Sequence, residues 1–188
     1  MRTANLAWLF ILCALLALLP VGDTSASRRG QSGMATIVSC DVRAFVIDRD
    51  PVGLNVRSGP GKTYKVIGNL PNQEVEGIGV HITGASGEWV RIDSAVEEGG
   101  QQERIFFKGK GWVYAPLLRV EGMAITDGGT NLYQEMTTKS RVIIRVPGGD
   151  DAVIVRGCRG RWMYVEYKKK RGWAAPDTLC ANSLTTCV

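Results

Sequence analysis

Beyond the first 26 residues, apolar and polar positions alternate in short bursts and never settle into helical spacing. Leu54 and Val56 alternate with Asn55 and Arg57, and Ile78, Val80 and Ile82 with Gly79 and His81. A period of two marks a half-buried strand, because successive side chains leave opposite faces. Trp89-Val90-Arg91-Ile92 and Met163-Tyr164-Val165-Glu166-Tyr167 add β-branched and aromatic residues to that pattern. Turn residues separate the bursts: Ser58-Gly59-Pro60-Gly61, Pro71-Asn72 and Pro147-Gly148-Gly149. Glycine reaches positive φ and proline fixes its own φ, so each ends a strand. Glycine supplies 23 of 188 residues, well above the usual ~7%. The pattern predicts an all-β protein of many short strands, as in a small barrel or sandwich.

The bursts occur twice. Asn55-Val56-Arg57 through Val66-Ile67-Gly68-Asn69-Leu70-Pro71 runs without a gap against Asn131-Leu132-Tyr133 through Val142-Ile143-Ile144-Arg145-Val146-Pro147. Glu88-Trp89-Val90-Arg91-Ile92 then meets Arg161-Trp162-Met163-Tyr164-Val165. Gly111-Trp112 meets Gly172-Trp173, with Leu118 and Leu179 each six positions after the tryptophan. The copies differ mainly between their tryptophans, where the first carries an acidic, glycine-bearing insertion, Asp93 to Glu103. Insertions of this kind are tolerated because loop closure cost grows slowly with length. The expected organisation is residues 27–43 as an extension, 44–119 as a first barrel and 120–130 as a glycine-bearing linker. A second, divergent barrel then covers 123–180, and 181–188 form a cysteine-containing tail. A barrel of this size buries little core, so cross-links and packing between copies are expected to help it.

Residues 1–26 read as an export signal: Arg2, an apolar run from Leu6 to Val21, then small residues at Thr24 and Ala26. An uncleaved anchor is the alternative. Arg2 and Asp23 cancel, so the formal charge of +5 belongs to the remainder. That charge suits anionic surroundings such as wall polymer or lipid headgroups. Beyond the signal stand Cys40, Cys158, Cys180 and Cys187. An even number in a small exported chain implies two disulfides, with three pairings open. One of them closes a tail loop between Cys180 and Cys187 and leaves Cys40 with Cys158. Ile37-Val38-Ser39-Cys40 also spells a lipoprotein cleavage pattern, but Ser25 to Ser32 separates it from the apolar run. Zinc is a poor alternative, since no Cys-x-x-Cys pair exists, and neither a metal nor a cofactor is expected.

Phe45-Val46-Ile47-Asp48, Leu54-Asn55-Val56-Arg57-Ser58-Gly59-Pro60-Gly61, Tyr64-Lys65-Val66-Ile67, Glu88-Trp89-Val90-Arg91-Ile92 and Gly111-Trp112-Val113 together resemble the bacterial SH3-like (SH3b) family. The second copy keeps Asn131, Trp162, Gly172-Trp173 and Leu179. It has Tyr133-Gln134-Glu135-Met136-Thr137 where the first has Arg-Ser-Gly-Pro-Gly. The resemblance implies two small, strongly bent SH3-like β-barrels in tandem. It also implies docking on peptidoglycan, wall peptides or partner proteins outside the cytoplasm, in the periplasm or beyond the cell.

Catalytic chemistry finds little support. The single histidine, His81, excludes designs that need two imidazoles, and it sits in an alternating strand as a rim or core-edge residue. Ser58 is not in a Gly-x-Ser-x-Gly elbow. Gly59-Pro60-Gly61-Lys62-Thr63 lacks the frame of a phosphate loop. Asp150-Asp151 and Glu97-Glu98 read as solvated turns rather than a glycosidase pair. A non-enzymatic binding module is therefore expected, with Asn55, Arg57, Ser58, Tyr64 and Trp112 as its contact patch. Tyr64 is expected at the surface, and Trp89 and Trp162 in the core. Arg57 has a second reading, as partner to a carboxylate on its own sheet. Lys168-Lys169-Lys170-Arg171 reads as a solvated hairpin tip, or else as a clamp on anionic polymer. The expected partner is peptidoglycan or a wall peptide; the alternative is an exported protein such as a hydrolase. Nucleic acid fits the charge but not the export signal.

Overall fold

The computed structural model describes residues 36–72, 77–97, 104–123, 129–150 and 152–181. Among them, strands follow the predicted bursts: β1 (Val38–Val46), β2 (Leu54–Arg57), β3 (Val66–Leu70), β4 (Ile78–Ser86), β5 (Trp89–Glu97) and β6 (Ile105–Tyr114). After a 3₁₀ turn at Ala115–Leu117 come β7 (Leu118–Gly122), β8 (Thr130–Tyr133), β9 (Val142–Val146), β10 (Val153–Arg159), β11 (Trp162–Tyr167), β12 (Lys170–Ala174) and β13 (Leu179–Cys180). All are antiparallel neighbours in the order β3-β2-β6-β5-β4-β1-β7-β10-β11-β12-β8-β9, with β13 also on β7.

Two separate barrels joined by a linker are not what these residues form. The sheet passes unbroken through β1, β7 and β10, where Phe45 pairs with Arg119 and Arg119 with Ile154. Leu118, Val120 and Gly122, the last two assigned to the linker, are buried in β7. Their alternation with Arg119 and Glu121 is the strand period itself, and it outweighs the glycine content that suggested a loop. One apolar core, including Val46, Ile82, Leu118, Val120, Val153 and Val165, serves both halves. The expected signal segment lies outside the described residues, as do most of the tail and the tip of the insertion. The rest of the insertion, Asp93 to Glu97, lies in β5, and Glu97 N–H donates to Arg104 C=O at 2.8 Å.

The halves nonetheless repeat in register. Leu54, Asn55 and Val56 pair with Leu70, Asn69 and Gly68, while Thr130, Asn131 and Leu132 pair with Val146, Arg145 and Ile144. Arg57 faces Trp112 and Tyr133 faces Trp173. Gly53 (φ 82°) and Gly129 (φ 73°) enter β2 and β8 alike. A Cβ on either would fall about 2 Å from a carbonyl oxygen, that of Leu70 or Val146. Gly111 and Gly172 explain the Gly-Trp pairs. Val56 and Leu132 on the facing strands come so near that a side chain would displace them.

Cys40 on β1 and Cys158 on β10 form a disulfide with a Cα–Cα distance of 5.8 Å. Of the three pairings left open by the sequence, this one holds the first strand against the second half. Asp41 N–H donates to Gly160 C=O at 2.9 Å, and Gly160 N–H to Ser39 C=O at 2.8 Å, so hydrogen bonds flank the staple. Cys180 is also disulfide-bonded. Cys187 lies outside the described residues.

Candidate functional site

The Ser58–Lys65 turn is built by its backbone and braced by one cation. Ser58 N–H donates to Lys65 C=O at 2.9 Å, Gly61 N–H to Gly59 C=O at 3.0 Å and Tyr64 N–H to Gly61 C=O at 3.3 Å. Arg57 Nη1 donates to the carbonyls of Lys62 and Tyr64 at 2.9 and 2.8 Å. The guanidinium therefore holds the turn and makes no carboxylate pair among the described residues. With no side chains at 59 and 61, the Tyr64 ring lies across both positions, and Tyr64 is 47% exposed.

Beside this turn, a groove of about 270 Å³ is lined by Asp48, Asp50, Asn55, Arg57, Lys62, Trp89 and Tyr114, with Gly53, Leu54 and Leu117 completing it. Trp89 on β5 and Tyr114 on β6 are register partners whose ring centroids lie 5.5 Å apart. The Tyr114 hydroxyl donates to Glu88 Oε2 at 3.1 Å. Desolvation first, then this bond and the charge of Glu88, push its pKa above the ordinary 10.0. Asp48 precedes β2 and is only 8% exposed. Its Oδ1 accepts the Asp50 N–H at 3.0 Å, and Asp50 Oδ1 accepts the Val52 N–H at 2.9 Å.

The predicted patch is thus brought together in part. Asn55 and Arg57 line the groove; Ser58 and Tyr64 sit outside it on the turn. Trp112, expected to offer its ring, is 6% exposed. It stands on the outer face between Arg57 and Arg91 in the sheet, and arginine stems cover apolar surface well. Trp89 and Trp162, expected in the core, are instead half-buried on that outer face. Trp162 lies 6.3 Å from Tyr133, edge to face. Sequence reasoning missed Asp48, Asp50, Lys62 and Trp89 as groove residues; Tyr114 reads from the sequence as one of several rigid aromatic contact surfaces but not as part of the patch. The signal for the aromatic pair was present: Trp89 alternates with buried Val90, and Tyr114 with buried Val113.

Residues 52–119 match the family model of the bacterial SH3 domain. The SH3-matching segment begins just before β2, ends within β7 and carries most of the groove. Solved structures of NlpC2 and NlpC1 from Trichomonas vaginalis are similar to this chain at 16% and 13% identity, each with a TM-score of 0.28. The alignments cover 74% of this chain and 47% and 45% of theirs, so the chain spans about half the length of those proteins. No curated protein matches.

His81, also in the SH3-matching segment, opens on a cleft of about 300 Å³ shared with Asp41, Arg43, Arg161 and Asp177. Its Nδ1 lies 2.9 Å from Asp93 Oδ1 and its Nε2 3.0 Å from Asp41 Oδ1. Both ring nitrogens are occupied by carboxylates, and Cys40, Cys158 and Cys180 are tied in disulfides. The arrangement therefore pairs no described thiolate with this imidazole, as a Cys-His peptidase requires. Lys168 and Lys169 form the two-residue turn between β11 and β12 with φ of 48° and 62°. That is the geometry of a type I′ hairpin, and the four basic residues at 168–171 are exposed.

Proposed function

We propose that this is an exported, non-enzymatic binding module that engages peptidoglycan or a wall-associated peptide through the groove beside Trp89 and Tyr114. One observation carries the reading: within and just before the SH3-matching segment, the Trp89–Tyr114 pair lines a groove together with two carboxylates and two cations. Rigid rings beside charged groups are economical contact surfaces, because few rotors are frozen on binding. In this reading the second half is a diverged copy of the same unit, supported by the shared register and the paired glycines. The Cys40–Cys158 disulfide and the signal-like residues 1–26 support export. Co-sedimentation with purified sacculi tests the proposal on the chain from residue 27 onward. The expected result is retention that falls at least fivefold in Trp89→Ala. Equal recovery with and without sacculi across several salt concentrations rejects it.

A second reading rests on a different surface. Tyr64, Val66 and Ile67 are exposed apolar residues beside and within β3, which ends the sheet. Such an edge suits a protein partner, and the module would then recruit an exported hydrolase or another envelope protein. Capture of that partner from envelope extract, lost in Tyr64→Ala but kept in Trp89→Ala, favours this reading.

A further inference from the structure

The polar groups of the groove are sorted by charge along β2. Asp48 and Asp50 precede the strand, whereas Arg57 ends it and Lys62 follows. From Gly53 to Arg57 the chain advances four residues, about 13 Å at the rise of an extended strand. Asp48 is nine-tenths buried, and no cation pairs with it among the described residues. Burying a carboxylate without a counter-charge is unfavourable, and among the described residues its Oδ1 is met by a backbone amide, that of Asp50. At the other end, Arg57 spends Nη1 on the turn, and among the described residues Nε and Nη2 remain for an anion. Between the ends stand Trp89 and Tyr114, whose π faces attract a cation and pack against methylenes.

We infer that the groove is a zwitterion site. Asp48 and Asp50 take a primary ammonium group, Trp89 and Tyr114 flank the aliphatic stem that bears it, and Arg57 with Lys62 takes a carboxylate. The ligand class is a short peptide that presents a lysine-length side-chain amine and, one residue on, a free carboxyl terminus. This rests on the peptide reading above and narrows it. Charge-assisted bonds at both ends supply the discrimination, while the rings supply contact area.

The test is calorimetric titration with N-acetyl-Glu-Lys-Ala, with the same peptide acetylated at the lysine Nζ, and with its C-terminal amide. Expected are binding of the first peptide, at least tenfold weakening on Nζ acetylation, and at least threefold weakening on amidation. Asp48→Asn is nearly isosteric and still accepts the Asp50 N–H, and it should bind the free and Nζ-acetylated peptides alike. Asp50→Asn, at an exposed site, should reduce the preference without affecting folding, and it keeps the test open if Asp48→Asn unfolds. Equal affinity for free and acetylated peptides, or no affinity for either, overturns the zwitterion site. Sacculus binding that persists in that case leaves the wall reading standing. Peptide binding with no retention on sacculi removes the wall reading and leaves the amine site.

Discussion

The turns at 58–65 and 134–141 share a backbone and little else. In the second, Gln134 N–H donates to Arg141 C=O, Thr137 N–H to Glu135 C=O and Ser140 N–H to Thr137 C=O, repeating the first bond for bond. The brace differs. Arg57 reaches the first turn from β2; Tyr133 stands in its place in the second, and Ser140 takes over from within. Its Oγ bonds the carbonyls of Glu135 and Thr137 at 3.3 and 3.0 Å and the Glu135 N–H at 3.1 Å. Ser140 also occupies the position of Tyr64, so the second turn carries no ring. Around it the exchange continues. Ala175 replaces Tyr114 and Thr138 replaces Lys62; in the aligned sequence Ala124 and Thr126, which lie outside the described residues, correspond to Asp48 and Asp50. Backbone plan and side-chain chemistry are therefore separable: the two turns share their hydrogen bonds, and among the described residues the second lacks the Arg57 brace and the Tyr64 ring.

The largest effect should come from the link between the halves. Replacing Cys40 and Cys158 by serine frees a loop with a sequence separation of 118, worth about 5 kcal/mol in the chain-entropy account. Urea unfolding at equilibrium measures it, and a loss below about 1 kcal/mol would mean that the sheet alone holds β1 in place. Next come Gly53→Ala and Gly129→Ala. Each puts a Cβ against a carbonyl at positive φ, and each should cost about 1–3 kcal/mol. Similar losses sharpen the equivalence of the halves, whereas one neutral variant breaks it. Arg57→Ala and Ser140→Ala should each cost about 1 kcal/mol. The loss of amide-exchange protection should stay within the turn each residue braces, and spread into the other turn would contradict separate braces.

The smallest effect is acidic and falls on the second half. Glu166 is held below its ordinary 4.5, first by the hydrogen bond from Arg171 at 2.6 Å and then by the charge of Arg156. Asp150 is held below 3.8, chiefly by the bond from Tyr167 at 2.6 Å. Folded values below unfolded ones mean that this stability is complete above about pH 4.5 and is lost as pH falls through the folded values. Glu166→Gln should flatten the fall in stability between pH 5 and 3. An unchanged slope in urea melts at the two pH values counts against the assignment.

Strands, turns and the duplicated register were legible because period two and the Gly/Pro breaks are local signals. The continuity of the sheet was not, although Leu118-Arg119-Val120-Glu121-Gly122 alternates as clearly as any strand. Its pairing with β1 and β10 is non-local, and three glycines nearby argued for a linker. Within the site, the turn residues were readable and the groove was not. Which tryptophan faces outward depends on strand register: a step of one residue separates outward Trp89 from buried Val90. Asp48 was legible only as part of the family resemblance and not as a groove residue, because its burial is produced by tertiary packing around the entry to β2.

The passage of the sheet through β7 has a practical consequence for anyone dissecting the molecule. A fragment cut at the family boundaries, 52–119, leaves behind the whole of β1 and severs β7 after two residues. It would expose the outer rim of β4 to solvent, an invitation to intermolecular pairing. Domain-swap or truncation studies should therefore keep β1 to β13 together.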